Sequence, residues 1–95
     1  MKDNKEIEES QRQLQILASQ RQFFQQELNQ IDLSIKELNK STGKVYKSIG
    51  TLLLEDSKEN IIKDLEAQKN DLSAKIDFLK KQEEKIAKRL AEQGD

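Results

Sequence analysis

The side chains with a chemistry of their own in this sequence are apolar, and they form two sets. One lies in VYKSIGTLLLED, residues 45–56, where Val45, Tyr46, Ile49, Leu52, Leu53 and Leu54 crowd around Gly50. The other is Ile16, Phe23 and Phe78, which fall outside the helical repeat that organises the rest of the chain. What these residues offer is desolvation: they bind whatever removes them from water. Bond-breaking chemistry has little to work with. The 95 residues include no Cys and no His. That excludes thiol nucleophiles, disulfides, the usual zinc sites and the usual neutral-pH acid–base group. The three glycines form no phosphate-cradling loop. The sequence therefore predicts no catalytic, cofactor-binding or metal-binding residue, and no enzyme.

Composition limits the elements that can hold these residues. With 37% charged and 34% hydrophobic residues, the chain is too polar for a sizeable core. Disorder would bring high net charge and proline, yet the net charge is -1 and proline is absent. Abundant Glu, Lys, Gln, Leu and Ala point to long helices or coiled coil. No apolar run approaches the roughly 18 residues of a membrane helix. The start MKDNKEIEES is too acidic for a secretory or mitochondrial leader. The expectation is a soluble cytoplasmic protein without membrane contact.

Heptad positions a and d fall at Ile7, Ser10, Leu14, Leu17, Arg21, Phe24, Leu28, Ile31, Ile35 and Leu38. Seven of the last eight are apolar, which predicts a coiled-coil helix over about residues 5–41. Lys40 and Gly43 suit its C-terminal end. Asp56 with Glu59 predicts a capping box opening a second helix over about 57–92. Its seam runs Ile62, Leu65, Lys69, Leu72, Ile76, Leu79, Glu83, Ile86, Leu90 and Gln93. Packed antiparallel, with facing residue numbers summing to 100, the two seams match a against d throughout. Arg21 and Glu83 then lie one layer apart, close enough to meet diagonally. The midpoint of this pairing is Gly50.

Around Gly50 the strand formers predict a β-hairpin within about 44–55. A turn at Ile49-Gly50 sets Val45 opposite Leu54, Tyr46 opposite Leu53 and Lys47 opposite Leu52. The face bearing Val45, Leu52 and Leu54 is the more apolar. A lone two-stranded hairpin is marginal in water, and its open edges invite other chains. The hairpin reads as an assembly module, several of which close one sheet; a clasp folding back on its own helices is the alternative.

At these residues the sequence resembles the β-class subunits of the prefoldin family. The likeness rests on Val45, Tyr46, Lys47, Gly50 and Leu53 or Leu54 between two coiled-coil helices, and on KQEEKI in the second. The resemblance implies a single prefoldin-like domain over 1–95: a mostly α, long antiparallel two-helix coiled coil whose central hairpin joins an intersubunit β-barrel. It implies an α2β4 hexamer with α-type subunits and further β-type copies. It also implies an ATP-independent holdase that captures unfolded proteins at the coiled-coil tips and passes them to a group II chaperonin. The chain is short for that family, which implies shorter coiled coils and a shallower cavity. A structural coiled-coil adaptor without clients is the alternative function.

A holdase needs apolar surface that does not collapse on itself. Ile16, Phe23 and Phe78 sit at c positions, off the seam. Ile7, Leu14, Ile86 and Leu90 are seam residues near the free tips, where fraying exposes them. These seven are the candidate client-binding residues. Lys80, Lys81, Lys85, Lys88 and Arg89 form a basic strip, but Glu83, Glu84 and Glu92 interrupt it. It reads as a solvated face, and no nucleic-acid partner is expected.

Overall fold

A computed structural model of the chain describes residues 4–93. Its elements are α1 (Asn4–Lys40), β1 (Val45–Ile49), β2 (Leu52–Asp56) and α2 (Lys58–Gln93). Arg21 of α1 reaches Glu83 of α2, and Asp32 reaches Lys69. Residue numbers rise along one helix as they fall along the other, so the two run antiparallel. The molecule measures 64 × 24 × 15 Å. Its radius of gyration is 19.7 Å, against about 12 Å for a compact domain of this length. Its accessible surface is 7694 Å², where a compact protein of this mass has about 5,600 Å².

Burial follows the heptad. Every predicted seam position of α1, from Ile7 to Leu38, is half-buried, and nothing on α1 is fully buried. Among the described residues the buried side chains are Leu72, Ile76, Leu79 and Ile86, all on the α2 seam. Ile62, Leu65, Lys69, Glu83 and Leu90 are half-buried, while the seam position at Gln93 lies outside the described side chains.

The charged interruptions of the seam are paired. Arg21 Nε donates to both carboxylate oxygens of Glu83, at 2.9 and 3.2 Å, with both side chains less than a third exposed. Lys69 Nζ lies 2.7 Å from Asp32 Oδ1. A pair held partly out of water stabilises less than apolar packing would, but it penalises any register that separates its members.

The neck between coiled coil and hairpin is tied by side chains. The Ser41 amide donates to Leu38 O as α1 ends. Lys58 Nζ then donates to Asn39 O and Ser41 O, at 3.3 and 3.0 Å. The start of α2 thus places a cation on the free carbonyls at the negative end of α1. The N-cap of α2 is Ser57, one residue later than the Asp56 expected. Ser57 Oγ accepts from the Asn60 amide at 3.1 Å, and Ser57 O takes the first helical bond, from Ile61. Asp56 is still in β2, opposite Val45, so Ser57 is the first residue free to cap. Asp56 Oδ1 accepts instead from the Ser57 amide and Asn60 Nδ2.

The hairpin register also differs from expectation. Val45 pairs with Asp56, Tyr46 with Glu55, Lys47 with Leu54, Ser48 with Leu53 and Ile49 with Leu52. The turn is Gly50-Thr51, not Ile49-Gly50. Two-residue hairpin turns demand positive φ at their first central position. Ile49 there would force a β-branched residue into that region. Gly50 takes the position instead, at φ +59°, and no residue other than glycine has positive φ among those described. The slip is two residues, so every side chain keeps its predicted face.

The Arg21–Glu83 pair gives a test with a defined sign. Arg21→Leu alone strands a mostly buried carboxylate and should cost about 1–2 kcal/mol, between the surface and buried-pair ranges. That lowers Tm by several degrees. Adding Glu83→Leu should restore Tm or raise it above the parent. Thermal unfolding by circular dichroism measures both, and equal Tm for parent and single variant would show that the pair contributes nothing.

Candidate interaction surfaces

The hairpin exposes apolar side chains on both faces. Val45, Lys47, Ile49, Leu52, Leu54 and Asp56 share one face; Tyr46, Ser48, Leu53 and Glu55 share the other. Only Val45 and Asp56 are half-buried. Tyr46, Ile49, Leu52, Leu53 and Leu54 range from 47% to 72% exposed, with Leu53 the most open. No described residue folds back onto them, so they form no intrachain clasp there. With two strands in the sheet, both outer edges also carry unpaired backbone groups. Lys47 Nζ meets Asp64 Oδ2 of α2 at 3.3 Å, an exposed ion pair linking the hairpin to the helix.

The second surface lies on the coiled coil, toward the end away from the hairpin. Ile16, Phe23 and Phe78 are each more than half exposed. In an antiparallel pair the c positions of both helices border the same flank, so these three share one side of the ribbon. Two of them border Phe24. The Phe23 ring meets Phe24 edge-on, centroids 5.9 Å apart, and Phe24 lines a recess with Ala74, Phe78 and Leu79. Ile16 lines a separate recess nearer the tip, beside Ser10, Arg12 and Gln13. The tip seam residues behave differently. Ile7, Leu14 and Leu90 are half-buried, and Ile86 is only 5% exposed. Ile86 is therefore part of the core and reaches a partner only if the helices part.

Three features escape the sequence pattern. Leu33 is 60% exposed at an outward f position, where a heptad expects a polar residue. Lys75 Nζ sits 5.5 Å from the Phe24 ring centroid, a cation–π arrangement legible only once the helices are docked. Lys58 caps the other helix, which no local motif signals. Among the described residues no group of acidic side chains is placed to hold a metal, and no helix is long and apolar enough to cross a membrane.

Comparison with known proteins adds an independent line. A family model described as Prefoldin subunit matches residues 2–95. The prefoldin subunit beta of Pyrococcus furiosus is 32% identical over 89 residues, 92% of this chain and 76% of that protein. That of Archaeoglobus fulgidus is 34% identical over 89 residues, covering 92% of this chain and 77% of its own. The crystal structure of the prefoldin beta subunit from Thermococcus strain KS-1 superposes with a TM-score of 0.88 at 29% identity, over 92% of this chain and 78% of that one.

The turn is the most constrained point of the hairpin. Gly50→Val places a β-branched residue at φ +59° and should cost at least about 1–2 kcal/mol locally. Cross-strand NMR contacts between Ile49 and Leu52 and between Ser48 and Leu53 should weaken, while helical circular dichroism stays at the parent level. Undiminished contacts would mean that the turn tolerates a side chain there.

Proposed function

The chain belongs to the prefoldin family, among its β-type subunits, and on that premise we propose that it is an assembly and holding subunit of a prefoldin-type chaperone. In this reading residues 1–95 form one prefoldin-like domain. Its hairpin closes an intersubunit β-barrel with α-type subunits and further β-type copies, in an α2β4 hexamer. The coiled coils hang from that platform in the cytoplasm, hold unfolded proteins without ATP or catalysis, and pass them to a group II chaperonin.

The observation that carries the proposal is the hairpin. Five large apolar side chains stand in water on its two faces, beside two unpaired strand edges. A sheet this small gains little by folding alone and much by joining others. The client-holding part is supported by the exposure of Ile16, Phe23 and Phe78 on one flank. An adaptor that only oligomerises would need the hairpin but not that flank, so two experiments separate the readings.

Replacing Leu52 and Leu54 by Asp puts two charges where the barrel interior would be, at a cost of several kcal/mol for unpaired charge. Sedimentation with an α-type prefoldin subunit should show loss of the hexamer, with helical content kept. An intact hexamer would remove the hairpin from assembly.

Replacing Ile16, Phe23 and Phe78 by Ser should leave hexamer size unchanged and weaken protection of a denatured client. Burying one such side chain is worth up to about 1.5–3 kcal/mol. The concentration needed for half-protection should therefore rise at least about threefold, even with partial contact. Light scattering of a refolding client measures it, against a control with Lys63, Asn70 and Asp77 changed to Ser on the opposite flank. Equal protection by variant, control and parent would favour the adaptor.

A further inference from the structure

Phe78 lines two adjoining recesses. One is apolar, formed with Phe24, Ala74 and Leu79, and Lys75 stands at its rim. The other is basic, formed with Lys81, Lys85 and Lys88. Three carboxylates border this region, Asp71 and Glu27 around Lys75 and Glu84 beside the second recess. The second recess alone sets three ammonium groups against one carboxylate, a local excess of two positive charges on a chain whose net charge is -1. Among the described residues none of the four lysines is held in an ion pair: the pairs formed are Arg21–Glu83, Lys47–Asp64 and Lys69–Asp32. The ring of Phe78 is 61% exposed at the centre of this arrangement. An apolar side chain seated on Phe78 and Phe24 would bring its sequence neighbours among unpaired cations.

We propose that this flank of α2 selects acidic, apolar-containing segments of non-native protein: the recess at Phe24 and Phe78 takes a Leu or aromatic side chain, and Lys75, Lys81, Lys85 and Lys88 take neighbouring Asp or Glu carboxylates. The inference rests on the client-holding reading above and gives it a substrate class. Exposed ion pairs add modestly to affinity but strongly favour one sign of partner. A segment with Lys or Arg beside its apolar residues meets like charge here, and a neutral one gains only the apolar contact. Nucleic acid also carries negative charge. It fits less well, because Asp71 and Glu84 break the cationic track that a phosphate backbone needs.

The test uses the full chain and three fluorescein-labelled 16-residue peptides with identical Leu and Phe positions. The intervening residues are Asp and Glu in one, Ser and Asn in the second, Lys and Arg in the third. Fluorescence anisotropy should show the acidic peptide bound about tenfold tighter than the neutral one and the basic peptide weakest. The preference should fade in 1 M salt, where charges are screened beyond about 3 Å. The triple variant Lys81→Glu, Lys85→Glu, Lys88→Glu should invert the order. Phe78→Ser should weaken the acidic and neutral peptides alike. These four positions are exposed, so helical content and Tm should not change. Equal binding of acidic and neutral peptides, with a denatured client still protected, overturns the charge selection and leaves the holdase reading standing. Binding of no peptide and no client overturns both. Tighter binding of single-stranded oligouridylate than of the acidic peptide assigns the flank to nucleic acid and overturns the proposal.

Discussion

Two helices alone cannot enclose anything. A side chain on one helix has a single neighbouring helix to pack against, so much of its circumference stays in water whatever its chemistry. The seam between α1 and α2 is therefore the constraint from which the rest follows. In a body 15 Å thick, α1 has no buried residue and α2 has four among its described side chains. Stability has to be collected along the length, a partial burial at each layer, which is why both helices exceed 35 residues. A seam built this way also tolerates slippage, since one aliphatic layer resembles the next. Arg21 with Glu83, and Asp32 with Lys69, make the layers unequal and the alignment specific. The same thinness leaves the flanks open, so an aromatic residue at a c position stays on the surface.

The seam was legible in the sequence because its signal is a period, repeated over many residues and insensitive to any one of them. Every described a and d position is partly or wholly withdrawn from water, and the Arg21–Glu83 contact follows from their spacing. The hairpin was legible as a hairpin, since strand formers around a glycine leave few alternatives. Its register was not. Composition centres the turn on Gly50 but does not say which of two turn positions glycine occupies; that depends on the φ a neighbouring isoleucine refuses. The face assignment survived because the slip was even. The cap of α2 moved from Asp56 to Ser57 for a related reason. Capping chemistry suits either residue, and the strand ladder, a nonlocal contact, decided between them.

The candidate binding flank was only half legible. The off-seam positions of Ile16, Phe23 and Phe78 were plain from the heptad, and so was the basic strip of α2. Their conjunction was not. Read along the chain, KKQEEKIAKR alternates in sign and resembles a solvated face. Wrapped on a helix, Glu84 borders a group in which Lys81, Lys85 and Lys88 share one recess with Phe78. Ile86 shows the opposite error: near the end of the chain it looks available, yet it is among the least exposed residues.

The neck has a mechanical meaning. Lys58 bonds the end of α1 to the start of α2, and Lys47 braces the hairpin against Asp64. Beyond this braced base the coiled coil is a cantilever about 55 Å long. A rotation of roughly 10° at the base sweeps the free end through about 10 Å, as lever geometry on a 1.5 Å rise per residue requires. The few hydrogen bonds at residues 39, 41, 47 and 58 thus lie where a small rotation moves the free end most. The aperture of any assembly built on such hairpins is set at its root rather than at its rim.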